Sequence, residues 1–476
     1  MYRTIQKANY DLPDVAEFIK KIGALPFEFF DQNHGVFVTR APGRLDVMGG
    51  IADYSGSLVL ELPVAEAVFC ALQKREDERL KIFSESETEH LIFEMPLRDL
   101  FWEGEPIEYA SACEYFKKTA DGHWAAYIAG VFLVLMREKA ANFETGANIF
   151  IASTIPQGKG VSSSAALEAA VMAAAATAFE IELTPRKTAI LCQKVENLVV
   201  GAPCGIMDQM SVICGKKDEL MSMICQPAEL NEAVKIPDEV SFWGIDSGIR
   251  HSVVGADYGS VRTGAFMGYR IIAELKNLSV LNNGKVEITD EEWNGFLSNV
   301  TPTEFENEYR SKIPTEISGA EFLRKYGGTT DRVTKVAPEK TYAVFYPTAH
   351  PIYENARVQR FAELLGEEMT EEVLSELGEL MFAAHESYSA CGLGSEGTDL
   401  LVELVKEFGL GNGLYGAKIT GGGSGGTVAV LGGKKADDAI RKVVEEYEKQ
   451  TNYKPYIFSG SSPGAADFGY LKLVKN

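Results

Sequence analysis

Three glycine-bearing segments carry residue types that chemistry needs. The first is Pro156-Gln-Gly158-Lys-Gly160-Val-Ser162-Ser163-Ser164-Ala165-Ala-Leu-Glu168, a glycine-rich turn running into an alanine tract. At such a helix start, free backbone N–H groups and the positive end of the macrodipole attract anions. Glycines let a phosphate approach the backbone, and hydroxyls bind phosphate oxygens or a magnesium ion. Triphosphate binding is one reading; a serine N-cap on an ordinary helix is the other. The turn is not a Walker A loop, because Lys159 is followed by Gly160 rather than Ser or Thr. The second segment, Lys418-Ile-Thr420-Gly421-Gly422-Gly423-Ser424-Gly425-Gly426, places five glycines in six positions. That is costly in backbone entropy, so it marks either the close approach of a ligand or a mobile hairpin loop. The third, Ala41-Pro-Gly43-Arg44-Leu-Asp46-Val-Met-Gly49-Gly50-Ile51-Ala-Asp53-Tyr54, gathers an arginine, two acids and three glycines in fourteen residues. It suits a polar ligand, although Asp53 as a cap and Arg44 as a surface cation are the plainer readings.

Strands and helices alternate around these segments. Val36-Phe-Val-Thr-Arg40, Leu58-Val-Leu-Glu-Leu62 and Val68-Phe-Cys-Ala-Leu72 read as strands, and Trp124 to Lys139 and Ser163 to Phe179 as helices. The third segment therefore follows a strand, and the first opens a helix. A second group begins near Val240 with Phe242-Trp-Gly-Ile-Asp246 and continues through a helix at Val261 to Leu275. It returns with strands at Tyr342-Ala-Val-Phe-Tyr346 and Gly426-Thr-Val-Ala-Val-Leu431. Between Asn277 and Thr334 the chain is polar and without clear phase, which predicts a helical insertion or a long surface excursion.

The 476 residues predict two or three packed domains, and 46% hydrophobic with 24% charged residues excludes a disordered or fibrous chain. With 46 Lys+Arg against 68 Asp+Glu, the net charge of −22 argues against nucleic acid or an anionic membrane as principal partner. Seven scattered cysteines without a CxxC, and histidines that never cluster, suggest neither a disulfide framework nor a zinc site. Met1 to Asp14 lacks the apolar core of a signal peptide, and no run approaches the roughly 20 apolar residues of a membrane span. A reducing, cytoplasmic compartment is expected.

In this order and spacing, the three segments resemble the signature motifs of the GHMP kinases, the small-molecule kinases that include galactokinase, homoserine kinase and mevalonate kinase. The galactokinase branch is indicated by Cys204-Gly205-Ile-Met-Asp208-Gln209 and by Arg250-His251-Ser252 with Tyr258 following. The runs Ala41 to Leu60, Ile249 to Gly268, His350-Pro-Ile-Tyr-Glu-Asn355 and Ser387-Tyr-Ser-Ala-Cys-Gly-Leu-Gly394 resemble the kinase portion of plant-type L-arabinokinases. The likeness covers about Val36 to Leu473. Those plant proteins carry a large additional N-terminal region that this chain lacks, so a stand-alone kinase is expected.

The resemblance implies an α+β fold of two lobes, the N-terminal one (residues 1–239) like domain 2 of ribosomal protein S5 and the C-terminal one (240–476) ferredoxin-like. The last strand, near Phe468 to Leu473, is expected to return to the first lobe. It implies Asp208 as the carboxylate that accepts or orients the anomeric hydroxyl proton, with Arg44 as its cationic partner. ATP would be held by Gly158, Gly160, Ser162, Ser163, Ser164, Ala165, Gly422 and Gly423, and magnesium by Ser164 and Glu196. The sugar would lie against Asp53, Tyr258, Gly50, Ile51 and Gly205. Galactokinases have Glu-His where this chain has Gly50-Ile51, and their carboxylate reaches the sugar 6-hydroxyl. L-Arabinopyranose has the ring stereochemistry of D-galactopyranose without the exocyclic CH2OH, so an apolar side chain here favours the shorter sugar. The expected reaction is ATP-dependent phosphorylation of L-arabinose at its anomeric hydroxyl. A galactokinase or galacturonokinase is the alternative within the class, and a non-catalytic sugar sensor the alternative outside it. The oligomeric state is left open.

Overall fold

The computed structural model describes residues 2–26, 29–85, 90–119, 122–249, 256–282 and 286–475. Its larger sheet runs in the order Tyr2–Gln6, Tyr470–Lys475, Val36–Met48, Leu58–Lys74, Ala147–Ser153, Arg79–Glu85, His90–Pro96, with Glu219–Ile224 paired to the first half of Leu58–Lys74. The helices Gly122–Lys139, Ser163–Ala178, Pro185–Lys194 and Met207–Cys214 join this sheet in one core. Ser163–Ala178 is buried on nearly every face, and its alanines let it lie close to the two central strands.

The smaller sheet, Leu414–Ile419, Thr427–Gly433, Val240–Asp246 and Ile457–Ser459, is antiparallel and is covered by Glu371–Ala390, Glu396–Phe408 and Asp437–Thr451. The two sheets are not independent bodies, because Leu45, Val47 and Leu60 of the larger one share a core with Phe242, Leu431 and Met381.

Several sequence expectations change. Leu58 to Leu62 and Val68 to Leu72 belong to one strand of 17 residues. Ala41 to Met48 does not follow the strand but forms the second half of it, Val36–Met48, and is buried throughout. Pro42, Gly43 and Pro63 are turn residues by type, yet the paired strand absorbs them by shifting register between Pro42 and Arg44. At 341–346 only Thr341–Ala343 is strand; Phe345 opens a helix to Leu364, with Pro347 tolerated in the first turn. The 277–334 stretch is neither of the two forms expected. It combines the hairpin Ser279–Asn282 and Val286–Thr289 with the helix Gly319–Tyr326, and buries Trp293, Phe305 and Phe322 against Ala256–Leu275.

The last strand pairs with both Tyr2–Gln6 and Val36–Met48. All seven cysteines are free. Among the described residues, no helix is long and apolar enough to cross a membrane.

Candidate active site

A cavity of about 200 Å³ draws the motifs together. The first segment contributes Arg44, Ile51 and Asp53; the phosphate turn contributes Gly158, Gly160, Ser162, Ser163 and Ser164. Gly422, Glu196, Gly205, Asp208 and Tyr258 complete the wall, together with Cys204 and Met207, which stood in the Cys204–Gln209 run without a role, and Tyr127, for which no sequence signal stood out. Three expected residues do not line it. Ala165 is buried in the helix core, while Gly50 and Gly423 lie behind the wall, packed against Tyr388 and Leu393. Arg250, His251 and Ser252 fall outside the described residues.

On one part of the wall, Arg44 projects from Val36–Met48 and Asp208 from the first turn of Met207–Cys214. Arg44 donates two hydrogen bonds to Asp208 Oδ1, from Nε at 3.0 Å and Nη2 at 2.8 Å, and a third to the Gly160 carbonyl at 2.6 Å. Among the described residues, no hydrogen bond reaches Asp208 Oδ2, and this side chain keeps 23% of its exposure. Burial alone would lower the Arg44 pKa, but Asp208, Glu61 and Asp46 outweigh it and hold the guanidinium protonated. The arginine thereby fixes both the carboxylate and the phosphate turn.

Ser162 sits at the N-cap of Ser163–Ala178 in the left-handed region, φ +59°, and its side chain caps nothing. Its hydroxyl is buried without a partner, so it is aligned for a ligand rather than for the helix. The turn is pinned from the smaller sheet, where Asp246 accepts from Lys159 Nζ at 2.6 Å and Thr427 donates to the Lys159 carbonyl.

The residues present fit magnesium. The Glu196 carboxylate accepts a hydrogen bond from Gln209 Nε2 at 2.6 Å and has the Ser164 hydroxyl beside it. Burial first, then Asp208, pushes its pKa up to about 7, so a cation is what would keep it ionised. One carboxylate and one hydroxyl leave most of an oxygen octahedron to phosphates and water. Among the described residues, no group of three or more His, Cys, Asp or Glu forms a dedicated cage.

Elsewhere on the wall, Asp53 stands on the 3₁₀ turn Gly50–Ser55 with its Oδ1 buried and unpartnered. Burial, and then Asp208, push its pKa up to about 7 against the pull of Arg262. Gly205 is required here, since a Cβ at that position would overlap the Asp53 carboxylate. Tyr258 packs edge-on against Tyr54 at 6.0 Å. Arg262 lies behind them, committed to Asp331 by two bonds of 2.8 Å.

A buried network then joins the first segment to the glycine loop. Asp46 accepts from Lys418 Nζ at 2.8 Å, from Gly421 N at 3.0 Å and from Gly50 N at 3.1 Å, and its own N–H donates to Thr420. The hairpin loop 421–426 is thus packed and held. Asp46 and Lys418 both stood in the segments picked out from the sequence, but their pairing across 372 positions left no local signal.

The geometry thus gathers a hydroxyl-bearing turn at a helix N-terminus, a carboxylate held by an arginine and a small polar cavity beside them. The chain carries both GHMP kinase domains: the GHMP kinases N terminal domain matches residues 126–216 and the GHMP kinases C terminal matches residues 365–449. It is 44% identical over 491 residues to the L-arabinokinase of Arabidopsis thaliana, covering 93% of this chain and 47% of that protein. The chain therefore spans about half the length of that relative. It is 26% identical over 435 residues to the galactokinase of Actinobacillus pleuropneumoniae serotype 3 (strain JL03), covering 89% and 94% of the two chains. The galactokinase of Lactococcus lactis complexed with galactose shares the fold, with a TM-score of 0.71 at 20% identity over 95% of this chain and 99% of that one.

Proposed function

We propose that this protein transfers the γ-phosphoryl group of ATP to the anomeric hydroxyl of L-arabinose, giving L-arabinose 1-phosphate and ADP. The observation that carries the reading is the Asp208–Arg44 pair joined to the hydroxyl loop in one cavity that Asp53 and Ile51 also line. Asp208 Oδ2 accepts the proton of the anomeric hydroxyl as its oxygen bonds to the γ-phosphorus. The bond from that phosphorus to the β,γ-bridging oxygen breaks, and ADP leaves. Arg44 keeps the base oriented and offsets charge on the transferring group, while Ser162, Ser163 and the helix N-terminus hold phosphate oxygens. Magnesium, held by Ser164 and Glu196, would neutralise the β- and γ-phosphates.

The pentose assignment rests on Ile51 and on the missing side chain at Gly50. C5 of L-arabinopyranose bears only hydrogens, which an apolar wall accepts, whereas a hexose would bury its CH2OH hydroxyl there without a partner. A uronic acid would need a cation here, and Arg262 is already paired with Asp331. The 44% identity to an L-arabinokinase supports the same substrate. Residues 1–239 and 240–476 would form the two lobes, with the last strand returned to the first. A reducing, cytoplasmic compartment would suit seven free thiols.

The test is magnesium- and ATP-dependent ADP release with L-arabinose, D-galactose, D-fucose and D-galacturonate at equal concentration. Preference for L-arabinose is expected. Preference for D-galactose or D-galacturonate would discard the pocket reading, and ATP binding without turnover on any sugar would indicate a sensor.

A further inference from the structure

Where Ile51 joins the cavity wall, three successive backbone N–H groups are each taken by a side chain from a different part of the chain. Gly49 N donates to Glu354 Oε1 at 3.1 Å, Gly50 N to Asp46 Oδ1 at 3.1 Å, and Ile51 N to the Tyr388 hydroxyl at 2.8 Å. Tyr388, fully buried on Glu371–Ala390, donates its own proton to the Gly421 carbonyl at 2.9 Å. One phenol therefore bridges the sugar segment and the glycine loop. Its ring is fixed by Lys418 Nζ, 5.3 Å above it, and by the His350 ring, edge-on at 5.1 Å. His350 Nδ1 is in turn 2.7 Å from Ser387 Oγ. Burial, with Arg357 and Lys418 adding to it, keeps this histidine neutral.

The same hydroxyl occupies the space that a side chain at position 50 would need. A Cβ built on Gly50 overlaps the Tyr388 oxygen and crowds Asp46, and φ there is +47°. Ile51, Tyr258, Tyr388, Leu393 and Ile419 form one apolar cluster, of which Ile51 and Tyr258 reach the cavity. We propose that Tyr388 is a specificity-determining positioning residue: it fills the volume beside Gly50 and holds Ile51 against C5 of the sugar, closing the cavity to an exocyclic CH2OH. The proposal rests on the L-arabinose reading for the identity of the sugar, but not for the coupling between positions 50 and 388.

The experiment is a cycle of Tyr388→Ala, Gly50→Ala and the double variant, with kcat/KM measured for L-arabinose and D-galactose and KM for ATP alongside. Tyr388→Ala should raise the D-galactose to L-arabinose ratio by about tenfold or more, the scale on which one added carbon is discriminated. Gly50→Ala alone should lower kcat/KM for the preferred sugar by about tenfold, and most of that loss should vanish in the Tyr388→Ala background because the overlap is gone. The KM for ATP should stay within about twofold in Gly50→Ala, whereas the Tyr388 variants that lose the bond to the Gly421 carbonyl should raise it severalfold, so the sugar ratio and not the ATP KM reads the proposal. An unchanged sugar ratio in folded Tyr388→Ala, or a Gly50→Ala loss of equal size in both backgrounds, overturns the proposal. If Tyr388→Ala does not fold, Tyr388→Phe keeps the ring and removes the hydroxyl. It should raise the sugar KM and move the ratio the same way, and an unchanged KM and ratio would overturn the role. A parent enzyme that prefers D-galactose defeats the substrate reading instead, and the 50–388 coupling is then read with that sugar.

Discussion

Around Asp208, Arg44 reaches the carboxylate and the Gly160 carbonyl directly, and each member comes from a motif whose residues are neighbours in sequence. Around Ile51 and Asp53, the Ile51 backbone is held by Tyr388, 337 positions away, and room is made by the absence of atoms at Gly50 and Gly205. The first region is made of charge and hydrogen bonds, which under the proposed function would fix the reaction. The second is made of volume and backbone satisfaction, which would fix the substrate. Damage to the first should therefore fall on kcat, and damage to the second on sugar KM and sugar choice.

The largest effect is expected from Asp208→Asn, which keeps the shape but cannot accept the proton. Turnover should fall about a hundred- to ten-thousandfold, the range of general-base contributions, with sugar binding retained by calorimetry. Near-normal activity would remove Asp208 as the base. Arg44→Lys follows, because a lysine cannot hold Asp208 with two donors and also reach Gly160. Its kcat should drop about a hundredfold while the KM for L-arabinose moves little, as for loss of one oriented electrostatic partner. A change confined to sugar KM would erase the division between the two regions.

Gly205→Ala tests the other side. Its Cβ displaces Asp53, so steady-state kinetics should show the sugar KM rising about tenfold with a smaller loss in kcat.

The smallest effect is on stability. Asp53 and Glu196 have ordinary values of 3.8 and 4.5 and are pushed up to about 7 in the fold, by burial first and then by Asp208. Between those limits the folded protein holds protons that the unfolded chain has released. Stability without ligands is therefore fully present below about pH 4 as far as these two groups are concerned, and is lost as pH rises through about 7. Urea midpoints across that window should show the fall, with a shallower slope in Asp53→Asn; an unchanged slope would count against the buried, unpaired state of Asp53.

This contrast also explains what could be read from the sequence. The glycine- and serine-rich turn at Gly158 to Ser164, and the grouping of Arg44 with Asp53, were visible because glycines, hydroxyls and charges declare themselves within a few positions. The strand through Ala41 to Met48 was hidden by Pro42 and Gly43, whose turn preference is overridden by pairing with Leu58–Lys74. Tyr388 stood in a run noted only for resemblance, and nothing local shows that its hydroxyl meets Ile51 across 337 positions. The 277–334 insertion resisted phasing because its core is made of isolated aromatics, Trp293, Phe305 and Phe322, set in polar sequence at no regular period.

The most direct test of the central claim is the identity of the phosphorylated carbon. L-Arabinose labelled with carbon-13 at C1, incubated with the protein, magnesium and ATP, should give one C1 resonance of a locked anomer, split by phosphorus, with one ADP formed per sugar consumed. A phosphorylated product whose C1 keeps the two interconverting resonances of a reducing sugar, or ADP release without a phosphorus-coupled C1, would contradict the assignment of Asp208 to the anomeric hydroxyl.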